Sequence, residues 1–212
     1  MSARTLKHRV AGHSDTRLRI VKAAAANFAS DGFRVATIRQ IAEVAGVNEI
    51  TVYRYFPKKN DLYWEVIDWK LRSSGLIEAV TEILKEEQEP ASLVQQLSKQ
   101  VMTTLSSDQS LGRLMHFSVL ELDSEKRKLF EIHLRPSLEK LSQRISNWIR
   151  EGRMRAVDPQ LAALAIFGSL LSNYDLQELL DANAKTGRSL EELSRDFADL
   201  CVLGLGVNGP TH

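Results

Sequence analysis

The stretch TIRQIAEVAGVNEITVYRYFP, residues 37–57, decides the fold. Thr37 with Gln40 three residues on is a capping-box pattern, in which side chain and backbone satisfy each other's donors at a helix start. Ile38, Ile41, Ala42 and Ala45 then mark one face of a short helix, and Gly46 supplies its left-handed end. Asn48 caps a further helix that must stop before Pro57, because proline cannot continue the hydrogen-bond ladder. Two short helices around an Ala45-Gly46-Val47 turn suit a helix-turn-helix, whose second helix lies in a DNA major groove. In that second helix Glu49, Thr51, Tyr53, Arg54 and Tyr55 carry hydrogen-bonding groups, and Ile50, Val52 and Phe56 remain for packing. Lys58 and Lys59 follow directly, within reach of phosphate.

Upstream, Val21, Ala24, Ala25, Phe28 and Gly32 fall on one face of a helix that Ser14 or Asp15 can cap and Gly32 stops. Downstream, helix resumes near Asn60 and runs through Trp64, Ile67, Trp69 and Leu71 toward Glu89, before Pro90. Leu93, Leu97, Val101 and Leu105 form the next stripe, followed by residues 111–122 and a long segment 125–155, where Pro136 must lie within or between two helices and should kink the element. Asp158-Pro159 reads as an N-cap with proline at the first helical position. Ser189 with Glu192 is a second capping box, after a loop at residues 185–188. No alternating β-branched ladder is visible.

The 212 residues are 43% hydrophobic and 26% charged, as expected of a globular protein with a sizeable core. No run approaches the ~18 apolar residues of a membrane span, and the polar, basic N-terminus is not a secretory signal. Cys201 is the single cysteine, which leaves no internal disulfide and favours a reducing cytoplasm. Charge is unevenly placed. Residues 1–72 hold 13 Lys/Arg against 7 Asp/Glu, a net of +6, so residues 73–212 carry −5 of the overall +1. A basic N-terminal third is the footprint of a segment facing a polyanion. No Ser/His/Asp set, Walker loop or dinucleotide glycine pattern marks an enzyme, and no cofactor or metal is expected. His116 and His133 stand in helical stripes without a zinc-type carboxylate–His pattern.

Residues 17–66 resemble the N-terminal domain of the TetR (tetracycline-repressor) family. The resemblance rests on Arg19-Ile20, Ala23-Ala24, Phe28, Gly32-Phe33 and Thr37, on Ile41-Ala42 and Ala45-Gly46-Val47, and on residues 51–57 with Lys59 and Leu62. It implies that Arg39, Asn48, Glu49 and Thr51 face base edges and that Thr37, Tyr53, Tyr55 and Lys59 hold the DNA backbone. Val47, Val52 and Phe56 would be structural, and Arg4, Lys7, Arg9 and Arg17 would grip DNA as a basic arm. The chain departs from the family pattern at Asn27, usually apolar, and at Lys58, where a capping residue is usual. Glu49 is also unusual, because a carboxylate among base contacts repels phosphate unless a cytosine amino group donates to it.

The expected fold class is all-α, about nine helices: an arm over 1–15, the DNA-binding domain over 16–59 and a ligand-binding and dimerisation domain over 60–212. Helices 158–183 and 189–205 should pair with those of a second copy as a four-helix bundle. Leu161, Leu164, Ala165, Phe167, Gly168, Leu171, Phe197 and Leu200 are the expected interface. The aromatic-rich stripes nominate Trp64, Met102, His116, Phe117, Leu120, Phe130, His133 and Tyr174 as the lining of a pocket for a mainly hydrophobic effector. The resemblance implies a cytoplasmic homodimer that binds a double-stranded DNA operator, represses, and is released by a small molecule, with no membrane partner. The competing reading is a helical-bundle ligand carrier or enzyme without a sequence-visible site; a sequence-independent DNA binder is a further one.

Overall fold

The computed structural model describes residues 3–121, 130–180 and 189–205, with side chains over 15–115, 131–172 and 189–202. Over these residues the chain is all α-helical. In order come α1 (Ala3–Val35), α2 (Ile38–Ala45), α3 (Glu49–Tyr55), α4 (Lys59–Ser73), α5 (Leu76–Ile83), α6 (Pro90–Ser107), α7 (Gln109–Glu121), a π-helical turn (Phe130–Leu134), α8 (Arg135–Arg150), α9 (Pro159–Leu180) and α10 (Leu190–Leu205). That is ten helices among the described residues, where about nine are predicted. The extra one arises between Trp64 and Glu89, expected as a single helix. Gly75 adopts φ 67 there, a left-handed conformation open to glycine, and separates α4 from α5.

Sequence signals set most other boundaries. Gly32, at φ 77 and ψ 166, interrupts α1 where a stop is expected, although helix resumes to Val35. Helical backbone begins at Ala3, well before Ser14; Leu6 and Lys7 favour helix, and no proline opposes it. Asp158 accepts from the Leu161 backbone N–H at 2.7 Å, as its N-cap reading requires. Ser189 and Glu192 form the expected reciprocal cap, with bonds of 2.7 and 3.2 Å. Pro136 lies where the π-helical turn runs directly into α8, in the first turn of that helix, so it falls between two helical segments, where its missing N–H is harmless.

The chain divides into two compact units, Met1–Ser73 with Arg113–Lys126, and Ser74–Gly112 with Arg127–His212. In the first, α1 packs on α2 and α4. Ile20, Ala24, Phe28, Ile41, Val52, Leu62, Val66 and Ile67 are fully buried, each except the small Ala24 contributing about 1.5–3 kcal/mol. Tyr63 meets Phe28 and Phe33 edge-on, each at 5.1 Å between ring centroids. Its hydroxyl donates to the Leu114 carbonyl of α7 at 2.9 Å, so the one polar atom of this aromatic cluster is satisfied. In the second unit α5, α9 and α10 pack against α6, and α8 packs against α9. The predicted α6 stripe of Leu93, Leu97, Val101 and Leu105 is buried there.

Candidate nucleic-acid interface

The helix-turn-helix is held by caps at three of its four ends. Thr37 and Gln40 form the full capping box: the Thr37 N–H donates to Gln40 Oε1 at 2.8 Å, and the Gln40 N–H donates to Thr37 Oγ1 at 3.2 Å. Gly46, at φ 64 and ψ 40, ends α2, and the Val47 N–H returns to the Ala42 carbonyl at 3.0 Å. Asn48 Oδ1 accepts from the Thr51 N–H and from the Thr51 hydroxyl, each at 2.7 Å. Val52 and Phe56 anchor α3 in the core, 0% and 2% exposed. A seven-residue helix is marginal by itself. These caps and anchors are what keep α3 in one orientation.

The outer face follows from that placement. Arg39, Asn48, Glu49, Tyr53 and Arg54 are exposed, as is Thr37, while Thr51, Tyr55 and Lys59 are half-buried. The structure thus brings all eight predicted DNA-facing residues onto α2, α3 and the start of α4. It also gives several of them internal work. The Asn48–Thr51 pair is a cap first, because its hydrogen bonds close the helix start. Lys59 Nζ donates to the Arg34 carbonyl at 3.3 Å and lies 4.6 Å from the Phe33 ring centroid, which ties α4 to the end of α1. Arg17, expected in the basic arm, pairs with Glu65 and sits 4.8 Å over the Phe56 ring. Arg4, Lys7 and Arg9 lie outside the residues whose side chains are described.

Three local departures have physical reasons. Asn27 turns its amide back to the Ala23 carbonyl at 2.9 Å, which satisfies a polar group at a usually apolar position. Helix α4 starts at Lys59 despite the Lys58 backbone in the cap position, because Asp61 accepts from the Lys58 N–H at 3.0 Å. Ile50, read as a packing residue, is 79% exposed. The helical period contains the reason: Val52 and Phe56 are four apart and share a face, whereas Ile50 is two positions from Val52 and points away. An open groove of ≈ 320 Å³ lies beside this motif between α1 and α2, lined by Arg19, Lys22, Ala23, Ala26, Val44 and Ala45.

The remaining predicted sites divide. Trp64 is buried in the first unit, with no acceptor for its indole N–H among the described residues. Met102 and His133 are buried in the second unit, where the Ser98 hydroxyl meets Met102 Sδ at 3.7 Å. The side chains of His116, Phe117, Leu120, Phe130 and Tyr174 lie outside the described residues. On α9, Leu161, Leu164, Ala165 and Gly168 are exposed and Leu171 is half-buried; on α10, Leu200 is 73% exposed. Phe167 and Phe197, 6% and 8% exposed, are core residues of their own unit and not part of that surface. Phe167 shares its helix face with Ala163, Ile166 and Leu170, all buried.

Residues 20–66 match the family described as bacterial regulatory proteins, tetR family. The fatty acid metabolism regulator protein of Bacillus subtilis is 25% identical over 154 residues, 72% of this chain and 78% of that protein. The HTH-type transcriptional regulator RutR of Escherichia coli K12 is 24% identical over 173 residues, 82% of this chain and 79% of its own. Among solved structures, a TetR-family protein from Mesorhizobium loti superposes with a TM-score of 0.67 at 26% identity, over 92% of this chain and 98% of its own. The regulator FadR of Bacillus subtilis, solved with stearoyl-CoA, gives 0.71 at 23% identity, over 92% and 99%.

Proposed function

We propose that this chain, whose residues 20–66 match the tetR family of bacterial regulatory proteins, is a transcriptional regulator that binds a near-palindromic operator as a homodimer and is released by a small, mainly hydrophobic effector. One observation carries the DNA reading. A short helix fixed by two core anchors and an Asn cap presents Glu49, Tyr53 and Arg54 outward, with Arg39 exposed on the helix before it. Such a helix fits a major groove, where base edges offer hydrogen-bonding partners for those groups. Repression follows from occupancy of a promoter, in the cytoplasm where the DNA lies.

Dimerisation is supported by the α9 stripe at 161, 164, 165 and 168, apolar or small at helical spacing and open to solvent within one chain. Leu200 adds to it from α10. A two-fold partner on this surface sets two copies of α3 about 34–36 Å apart, one turn of DNA.

The effector reading draws on Trp64. A buried N–H without an acceptor costs about 1–3 kcal/mol, and a ligand oxygen would remove that cost. His116, Phe117 and Leu120 belong to the same compact unit as Trp64. The similarity to a fatty acid metabolism regulator, and to a FadR structure solved with stearoyl-CoA, makes a long-chain acyl thioester the first effector class to test. Selection of duplexes from a random pool by the purified protein tests the whole reading. Recovery of an inverted repeat with half-sites one helical turn apart supports it, and recovery of no preferred sequence refutes it.

A further inference from the structure

Ile50 is, at 79%, the most exposed large apolar side chain among the described residues. Nothing among the described residues accounts for it. Val52 and Phe56 already anchor α3, and a β-branched residue in the first turn of a short helix has no propensity advantage over alanine. Tyr53 stands three positions on, 48% exposed, so the two side chains are neighbours on one ridge of the helix. The ridge lies among the hydrogen-bonding groups of Glu49 and Arg54, on the face turned away from the core.

We propose that Ile50 reads thymine, by packing its side chain on the C5-methyl group in the major groove. The inference rests on α3 being the helix that enters that groove. Base edges there offer donors, acceptors and one apolar feature, the thymine methyl. An aliphatic side chain brought against a base-pair edge loses its water in every case, but only thymine returns an apolar contact. Ile50 therefore discriminates thymine from cytosine, which shares the pyrimidine shape and lacks the methyl group. Glu49 beside it has the opposite preference, for the cytosine amino group.

The test uses the duplex selected by the full-length protein. Each thymine of a half-site is replaced in turn by deoxyuridine, which removes the methyl group and keeps the base pairing. Dissociation constants are measured at one salt concentration for the wild type and for Ile50→Ala. At one thymine per half-site the wild type should lose about four-fold, the factor for about 0.8 kcal/mol per buried carbon group. Ile50→Ala should bind the thymine and uracil duplexes equally. Ile50 touches no core, so the variant should melt like the wild type. The inference is overturned if wild type tolerates uracil everywhere, if Ile50→Ala shows the same loss, or if the selected site has no thymine. If changes anywhere in α3 leave sequence preference intact, the groove reading of α3 fails too, and the two failures are thereby told apart.

Discussion

Asn48 Oδ1 accepts both the backbone N–H and the hydroxyl of Thr51, each at 2.7 Å. Two residues expected to read bases are thus joined to one another at the start of α3. Their first contribution is orientation of the helix. Asn48→Ala should cost about 1 kcal/mol of stability, the usual loss for an N-cap, and should weaken binding to every duplex alike. Asn48→Asp should keep the cap and the melting point. Glu49→Gln should leave stability unchanged and alter preference at particular base pairs. Urea melting beside binding to a panel of single-base variants separates the two behaviours; an Asn48→Ala protein of unchanged stability would contradict the cap assignment.

Leu164 and Phe167 lie three residues apart on α9 and should fail in different ways. Leu164 is 50% exposed on the apolar stripe, whereas Phe167 is 6% exposed in the core of the second unit. Leu164→Asp should yield a folded monomer with greatly weakened operator binding, because a charge cannot be buried unpaired in an interface. Phe167→Asp should lose the fold of the unit, with a cost beyond the 3–5 kcal/mol typical of Phe→Ala in a core. Sedimentation with circular dichroism reads both. A Leu164→Asp protein that remains dimeric would place the interface elsewhere.

The helix-turn-helix is legible because its determinants are local. Thr37, Gln40, Gly46 and Asn48 act within a few residues along the chain, and each makes the bond its position calls for. Tertiary choices were harder to read. The apolar residues of α9 surround most of the helix, so composition alone does not separate Phe167 and Ile166 from Leu161 and Leu164; only packing against α6 and α8 does that. Ile50 was legible in principle, since its phase differs from that of Val52 and Phe56. The partners of Arg17 and Lys59, at Glu65 and the Arg34 carbonyl, are 48 and 25 residues away, beyond any local signal.

Glu191 ties α10 to α6 through an ion pair with Lys99 and a 3.0 Å hydrogen bond from Gln95. The Lys99 hydrogen bond, before all other influences, pulls its carboxyl below the usual carboxylate range. A carboxyl whose pKa is lower in the folded state stabilises above the unfolded value, and that contribution is lost as pH falls through the folded value. Glu191→Gln should therefore be slightly less stable than wild type at neutral pH, and the gap should close in acid. Thermal melts of both proteins across this range check it. A gap that widens as pH falls would reverse the assignment.

Trp64 offers a buried indole N–H with no acceptor among the described residues. Trp64→Phe removes an N–H without an acceptor among the described residues and also some core packing, two opposing effects on stability, and should leave ligand-free DNA affinity nearly unchanged. Affinity for an effector that uses the N–H should fall by about two- to ten-fold, the equivalent of one net hydrogen bond of about 0.5–1.5 kcal/mol. Stearoyl-CoA is the first probe. Linkage adds a second requirement: an effector that weakens operator binding ten-fold must bind the operator complex ten-fold more weakly than the free protein. Equal binding of a releasing ligand to Trp64→Phe and wild type would remove Trp64 from the site.

The most direct test of sequence-specific reading by residues 37–59 is a binding matrix. Wild type, Arg39→Ala, Glu49→Gln, Tyr53→Phe and Lys59→Ala are each titrated by fluorescence anisotropy against the selected duplex and all its single-base variants, at several salt concentrations. Arg39→Ala and Glu49→Gln should flatten preference at particular base pairs, by about 1–3 kcal/mol for a bidentate contact. Tyr53→Phe and Lys59→Ala should weaken every duplex by one common factor. Lys59→Ala should also lower the salt slope by about one counterion per half-site. Five proteins with the same affinity and the same base preferences would contradict the account, because the reading head would then lie outside α2 and α3.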